Sequence, residues 1–135
     1  MNSSYFEHDA DIGIIGRGET LEQSFEAAAM AVFASMTKLE CVQPNDEITV
    51  EFEETDLELA LVTWLNIIIA KAREFGMVFS RFYLQRDHDR WHGKILGEKW
   101  RDGLERGVEV KGATLTMLSV KQTGAIWESR CVVDV

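Results

Sequence analysis

Two acidic segments at opposite ends of the chain carry the clearest potential for chemistry. Asp9 and Asp11 stand two apart near the start, and Asp134 is followed directly by Val135 at the end of the sequence. Carboxylate oxygens are the ligands that hard divalent cations such as calcium prefer. If the segments meet, Asp11, Asp134 and the Val135 carboxylate would need a cation, because converging carboxylates repel one another. The residues by themselves favour the alternative, a surface aspartate and a frayed chain end that never meet.

The histidines and one lysine are weaker candidates. His8 precedes the acidic pair and could orient a carboxylate, although a packed or exposed histidine fits the position equally well. His88 and His92 stand four apart, but they flank a predicted turn, where this helical spacing has no meaning for a metal. Lys111 lies in an alternating apolar stretch, where its type alone favours a solvated strand lysine or an ion pair with Glu109.

Several other chemistries are not indicated by the sequence. The early glycines lack the spacing of a dinucleotide-binding loop, and no nucleophile elbow or zinc pattern occurs. Cys41 and Cys131 are isolated, which predicts reduced thiols in a cytoplasmic protein, with a disulfide as the minor alternative. The start shows no secretory signal, and polar residues interrupt the longest apolar stretch, so no membrane span is expected.

Hydrophobic periodicity predicts two helices that would position these residues. The first covers about 20–37 and opens with the capping box Thr20 and Gln23. The second runs from the capping box Thr55 and Glu58 to about residue 74, and it is apolar on nearly every side. Such a helix is expected in the middle of the fold, covered on more than one side.

Alternating apolar and polar residues predict the strands. The first carries Asp9 and Asp11 on its polar side and is expected to end in a turn at residues 16–18. A loop is expected at 97–107. The other strands are predicted at about 48–52, 78–84, 91–95, 108–120 and 126–135. This order predicts an α+β fold, a single domain over 1–135 in which two long helices pack on a mostly antiparallel β-sheet.

The net charge of −9 restricts the partners that the protein can bind. Cationic side chains that neutralise phosphates supply most of the affinity of proteins for nucleic acids, so tight direct binding to RNA or DNA is not expected. Opposite charge accelerates the encounter of proteins, so an acidic protein could instead dock on a basic protein that itself acts on nucleic acid.

Four segments together resemble the archease family and span most of the chain. Their order and spacing carry the resemblance, because none is specific alone. They are Glu7-His8-Asp9-Ala10-Asp11-Ile12-Gly13, Trp64-Leu65-Asn66 with Phe79-Ser80-Arg81-Phe82, Gly97-Glu98 with Glu109-Val110-Lys111-Gly112-Ala113-Thr114, and the final Asp134-Val135.

The resemblance implies a non-catalytic accessory role in tRNA splicing or RNA repair. The partner would be an RNA-splicing ligase that joins RNA ends with GTP and a divalent metal, and the protein would promote its guanylylation and multiple turnover. The family likeness also implies a bound divalent cation, usually taken as calcium, held by Asp11, Asp134 and Val135. Lys111 matches a functional position and is expected to contact the ligase or its nucleotide.

The chain departs from the family pattern at three places. Asp9 replaces the usual threonine, Leu115 and Thr116 replace an aromatic residue followed by His or Ser, and a histidine is missing between Arg101 and Arg106. These changes concern details of partner contact. Two alternatives stay open, a small metal-dependent hydrolase that uses Asp9, Asp11 and Asp134, and a general chaperone or adaptor.

Overall fold

The computed structural model describes the backbone of residues 2–8 and all atoms of residues 11–135. Within these residues, helix α1 is Leu21–Ala34 and helix α2 is Leu57–Phe75. The strands are β1 Asn2–His8, β2 Asp11–Gly18, β3 Asp46–Glu53, β4 Met77–Asp87, β5 Arg90–Lys99, β6 Gly112–Ala113, β7 Ser119–Thr123 and β8 Ile126–Asp134.

The strands form two antiparallel sheets. In the five-stranded sheet, β1, β2 and β8 lie side by side, and both β6 and β7 pair with the far edge of β8. The second sheet has three strands in the order β3, β5, β4. The predicted α+β class with two long helices on antiparallel strands is confirmed, and the strands are divided between two sheets.

A single hydrophobic core joins both helices to both sheets. Helix α1 contacts β2 and β8 of the first sheet and β4 of the second. The rings of Phe25 and Trp91 stack with centroids 5.2 Å apart, and the indole N–H of Trp64 donates to the Phe25 carbonyl oxygen at 3.0 Å. Burial of each large side chain stabilises the fold by about 1.5–3 kcal/mol, so these aromatic residues are major contributors.

The predicted turn at residues 16–18 is wrong, because β2 continues to Gly18. Gly16 faces α1, and a Cβ atom there would overlap the Ser24 carbonyl oxygen and the Ala28 backbone. The side-chain hydroxyl of Ser24 also bonds with that of Ser129 on β8 at 2.7 Å. The glycine therefore permits close packing between helix and sheet rather than a change of chain direction.

Other boundaries also differ from the predictions. Strand β5 continues to Lys99, so the loop predicted at 97–107 begins three residues later. The N-cap of α2 is Asp56, whose carboxylate accepts from the Leu59 N–H at 3.0 Å, so the capping box predicted at Thr55 is wrong. The strand predicted at 108–120 is reduced to β6 and the start of β7. It is interrupted because the Val108 N–H donates to the Ser35 carbonyl of the α1 C-cap instead of to a strand.

No helix within residues 11–135 combines the length and the apolar character that a membrane crossing requires.

Candidate functional site at the end of the five-stranded sheet

The strand register brings the two acidic segments to the same end of the five-stranded sheet. Ile12 of β2 pairs with Val133 of β8, and the next residue on each strand is Asp11 and Asp134. Continued by one residue, the register sets these aspartates opposite each other. Cβ atoms of residues directly opposite on antiparallel strands are about 5 Å apart, so the two carboxylates are within reach of one another.

Both carboxylates project from the face of the sheet that lies away from the helices. Ile12 and Val133 belong to the hydrophobic core, and side chains alternate along each strand, so Asp11 and Asp134 point to the other face. Asp11 is half-buried and Asp134 is exposed. Like charges directly opposite on a sheet are destabilising, and a cation between them would remove that repulsion.

Lys111 lies beside this acidic pair. Its backbone N–H donates to the carbonyl oxygen of Asp134 at 2.7 Å, directly before the short strand β6. Its side chain is exposed. The backbone position of Lys111 is therefore fixed by the end of β8, while its ammonium group remains accessible to a partner.

Two residues of α2 hold this segment in place, and sequence reasoning did not assign either a role. The Asn66 side chain accepts from the Ala113 N–H at 2.7 Å and donates to the Ala113 carbonyl at 3.3 Å. Arg73 reaches the carbonyl oxygens of Val110 and Lys111 at 3.5 and 3.4 Å. Asn66 thus satisfies the backbone of β6 on the side that does not pair with β8. The sequence signal for it is its place in the Trp64-Leu65-Asn66 motif.

Asp9 and the side chain of His8 lie outside the described residues, so their predicted places at the site remain predictions. Within the described part of the chain, no three side chains of His, Cys, Asp or Glu gather as a metal-binding group. A cation held by Asp11 and Asp134 would therefore take its further oxygen ligands from the Val135 carboxylate, backbone carbonyls or water. Such an oxygen set fits calcium.

The other candidate side chains lie apart from this corner. His88 and His92 are exposed, as predicted, and contact Asp87 at 2.8 Å and Glu51 at 3.1 Å respectively. Cys131 is a buried free thiol, and burial raises its pKa to about 12, so it is protonated and unreactive at neutral pH.

The chain matches the model of the archease protein family over residues 4–135. The protein belongs to the archease family. An archease of Sulfurisphaera tokodaii is 35% identical over 134 residues, which cover 97% of this chain and 96% of that protein. The family assignment made from the sequence is confirmed, and the region shared with this relative includes nearly the whole chain.

Solved structures agree with the fold. The solution structure of protein 1598 of Methanobacterium thermoautotrophicum has a TM-score of 0.83 and 28% identity, with 98% of each chain covered. The crystal structure of a Thermotoga maritima archease, called a possible chaperone, covers 96% of this chain and 94% of that one, with a TM-score of 0.69 and 20% identity. These structures bear out the α+β architecture with two helices and antiparallel strands.

Proposed function

We propose that the chain is a non-catalytic activator of a GTP-dependent RNA-splicing ligase. It promotes guanylylation of the ligase and its multiple turnover in tRNA splicing or RNA repair. The observation that carries this proposal is that Asp11, Asp134 and the backbone of Lys111 lie at the same end of the five-stranded sheet. These are the residues that the archease resemblance singles out, and the β2–β8 register and the bond from Lys111 to Asp134 gather them from distant parts of the sequence.

In this proposal, the acidic pair binds a divalent cation, and calcium is the ion with which to test it. Asp11, Asp134 and the Val135 carboxylate would hold it. A bound cation offsets the repulsion between the aspartates and fixes the end of β8 relative to β2. It would also fix Lys111, because the backbone of Lys111 is bonded to Asp134.

The ligase contact uses the exposed side chain of Lys111, which lies beside the acidic pair. A compact ammonium group on a flexible stem can reach a carboxylate or phosphate on a partner. The net charge of −9 favours encounter with a basic protein, and a protein that handles RNA carries such a surface. The chain would therefore act in the cytoplasm on the ligase rather than on the RNA directly.

The rival interpretation as a hydrolase finds less support in the described residues. Among the residues whose side chains are described, Lys111 lies beside the acidic corner and is held there through its backbone bond to Asp134. The exposed histidines lie on the second sheet and its hairpin, and the buried Cys131 is protonated. A hydrolase would need a base or nucleophile directed at a substrate, and these residues do not supply one.

The test is a ligation assay with the cognate ligase at limiting concentration, GTP, a divalent metal, and an RNA with 2′,3′-cyclic phosphate and 5′-hydroxyl ends. We expect faster formation of guanylylated ligase and several products per ligase molecule. The Asp46→Asn variant is a matched control, because Asp46 is an exposed carboxylate on β3 of the other sheet. Unchanged turnover with the wild-type chain would contradict the proposal, and phosphoester hydrolysis by the chain alone would support the hydrolase.

A further inference from the structure

A cavity of about 430 Å³ lies between the C-terminal half of α2 and the segment that leads from β5 to β6. Its floor is apolar and includes Met36, Ile69 and Met77. Arg73 of α2 and Arg106 of the connecting segment also line it. The volume falls in the range of about 300–1,000 Å³ that small-molecule sites occupy, and an apolar floor with a few polar groups is their usual composition.

The walls of the cavity are held by hydrogen bonds although the connecting segment is irregular. The Gly107 N–H donates to the Met36 carbonyl at 2.7 Å, and the Thr37 hydroxyl donates to the Glu105 carbonyl at 2.6 Å. On the other side, the Trp100 N–H donates to the Gly76 carbonyl at 3.0 Å. A preformed cavity spares a ligand the entropic cost of ordering its site.

The charge of the cavity is opposite to that of the whole molecule. The Arg106 guanidinium carbon lies 4.0 Å from the centre of the Trp100 ring, and a planar guanidinium stacked on an aromatic face can still direct its N–H groups sideways to a ligand. Within the part of the chain that the structure describes, Arg73 makes two long bonds, both to carbonyl oxygens. Among the described residues, neither guanidinium has a carboxylate within 4.0 Å, although the exposed Glu109 also lines the cavity.

We propose that this cavity binds a nucleoside phosphate. Two guanidiniums without carboxylate partners match a phosphate dianion, which has more charge and more acceptor oxygens than a single carboxylate. The apolar floor would take the base or sugar. The site is distinct from the acidic corner, and it connects to that corner because Arg73 contacts the Lys111 carbonyl and Lys111 bonds to Asp134. This proposal does not depend on the proposed activation of a ligase.

The experiment is a titration of the full chain with adenosine 5′-monophosphate. Binding is measured by calorimetry and by the shift of the NMR signal of the Trp100 indole N–H. We expect a dissociation constant of about 1 mM or below. Guanosine and uridine monophosphates test the choice of base. Adenosine and inorganic phosphate should each bind at least about tenfold more weakly, because each lacks one of the two recognised parts.

Three variants locate the site. Arg106→Gln and Arg73→Gln should each weaken binding by about tenfold or more, because each removes a charge-assisted hydrogen bond. Arg81→Gln is the matched control, since Arg81 is exposed on β4 of the second sheet, and it should bind like the wild type. Thermal unfolding of each variant distinguishes loss of ligand from loss of fold.

Three results would overturn the proposal. They are the absence of binding at millimolar nucleotide, equal binding by the Arg73 and Arg106 variants and the wild type, and equal competition by N-acetylaspartate, which would make the site a carboxylate site. None of these results bears on ligase stimulation, so the two proposals can fail independently.

Discussion

At the scale of single residues, two groups of charged side chains could carry the chemistry of the chain. Asp11 begins β2 and Asp134 ends β8, so both lie at the same end and on the same face of the sheet, and Lys111 is bonded to the Asp134 carbonyl. A second polar set, Arg73 and Arg106, lines the cavity on the other side of Lys111. Lys111 therefore lies between an acidic corner and a cationic cavity.

The Asp11→Asn variant tests the acidic corner as a cation site. Calcium should raise the melting temperature of the wild type, because a ligand that binds only the folded state adds about 2.7 kcal/mol of stability at a hundred times its dissociation constant. It should hardly change that of Asp11→Asn, which lacks one ligand charge. Differential scanning fluorimetry measures both, and Asp46→Asn should respond like the wild type. Equal responses from Asp11→Asn and the wild type would exclude Asp11 as a ligand.

At the scale of elements, the fit between α1 and the five-stranded sheet positions β2 and β8. The predicted positions of both helices and of β3, β4 and β8 agree with the structure, because each has a clear apolar period, whereas β5 runs to Lys99, into the loop predicted at 97–107. The turn predicted at Gly16 is wrong, because a glycine needed for close packing and a glycine needed for a turn cannot be distinguished from the sequence. The interruptions of the strand predicted at 108–120 could not be foreseen either, because the Val108 N–H bonds to Ser35, which lies far away in the sequence.

The Gly16→Ala variant tests the close packing of α1. The added methyl group would overlap the backbone of Ser24 and Ala28, which cannot move without shifting the helix. We expect a loss of about 1–3 kcal/mol in the free energy of unfolding, measured with urea. Gly103→Ala is the control, because its Cβ would meet only the end of the flexible Arg101 side chain, and it should change stability by less than about 0.5 kcal/mol. Equal losses would contradict the packing argument.

Glu26 of α1 caps the edge of β4 and predicts a pH dependence. Its carboxylate accepts from the Leu84 N–H at 2.8 Å, and burial raises the pKa of Glu26 above its ordinary value of 4.5. A raised pKa means that folding favours the protonated form of Glu26. The contribution of Glu26 to the free energy of unfolding is therefore fully present below pH 4.5, and it is lost as the pH rises through the folded-state pKa.

The Glu26→Gln variant keeps the acceptor and removes the charge. At pH 7 it should be as stable as the wild type or more stable, by less than about 1 kcal/mol because the group is only half-buried. The difference should shrink as the pH falls through the pKa of Glu26, as measured by urea unfolding between neutral and mildly acidic pH. If the difference in the free energy of unfolding between the variant and the wild type grew on acidification, the pKa of Glu26 would not be raised by folding.

At the scale of the whole molecule, the chain combines the archease fold with a net charge of −9. The fold could be predicted from the sequence through its periodicity and its family motifs. The convergence of the chain's two ends could not be derived from the residues alone, because it depends on the pairing of β2 with β8, which are more than a hundred residues apart. The resemblance named the corner residues, and the register supplies the physical reason for their proximity.

The isolated chain should bind RNA weakly because of its net charge of −9. We expect a dissociation constant for single-stranded RNA or tRNA above about 1 µM at physiological salt, measured by fluorescence anisotropy without ligase. Submicromolar affinity under these conditions would contradict the electrostatic argument and would place the RNA directly on this protein.

The most direct test of the proposed function is the Lys111→Ala variant in the ligase turnover assay, with Lys94→Ala as the control at an exposed lysine of β5. Lys111→Ala should abolish stimulation. Its free energy of unfolding should change by less than about 0.5 kcal/mol, because the side chain is exposed and the backbone bond to Asp134 remains. Lys94→Ala should stimulate like the wild type. Full stimulation by a folded Lys111→Ala variant would contradict the assignment of this corner as the site that acts on the ligase.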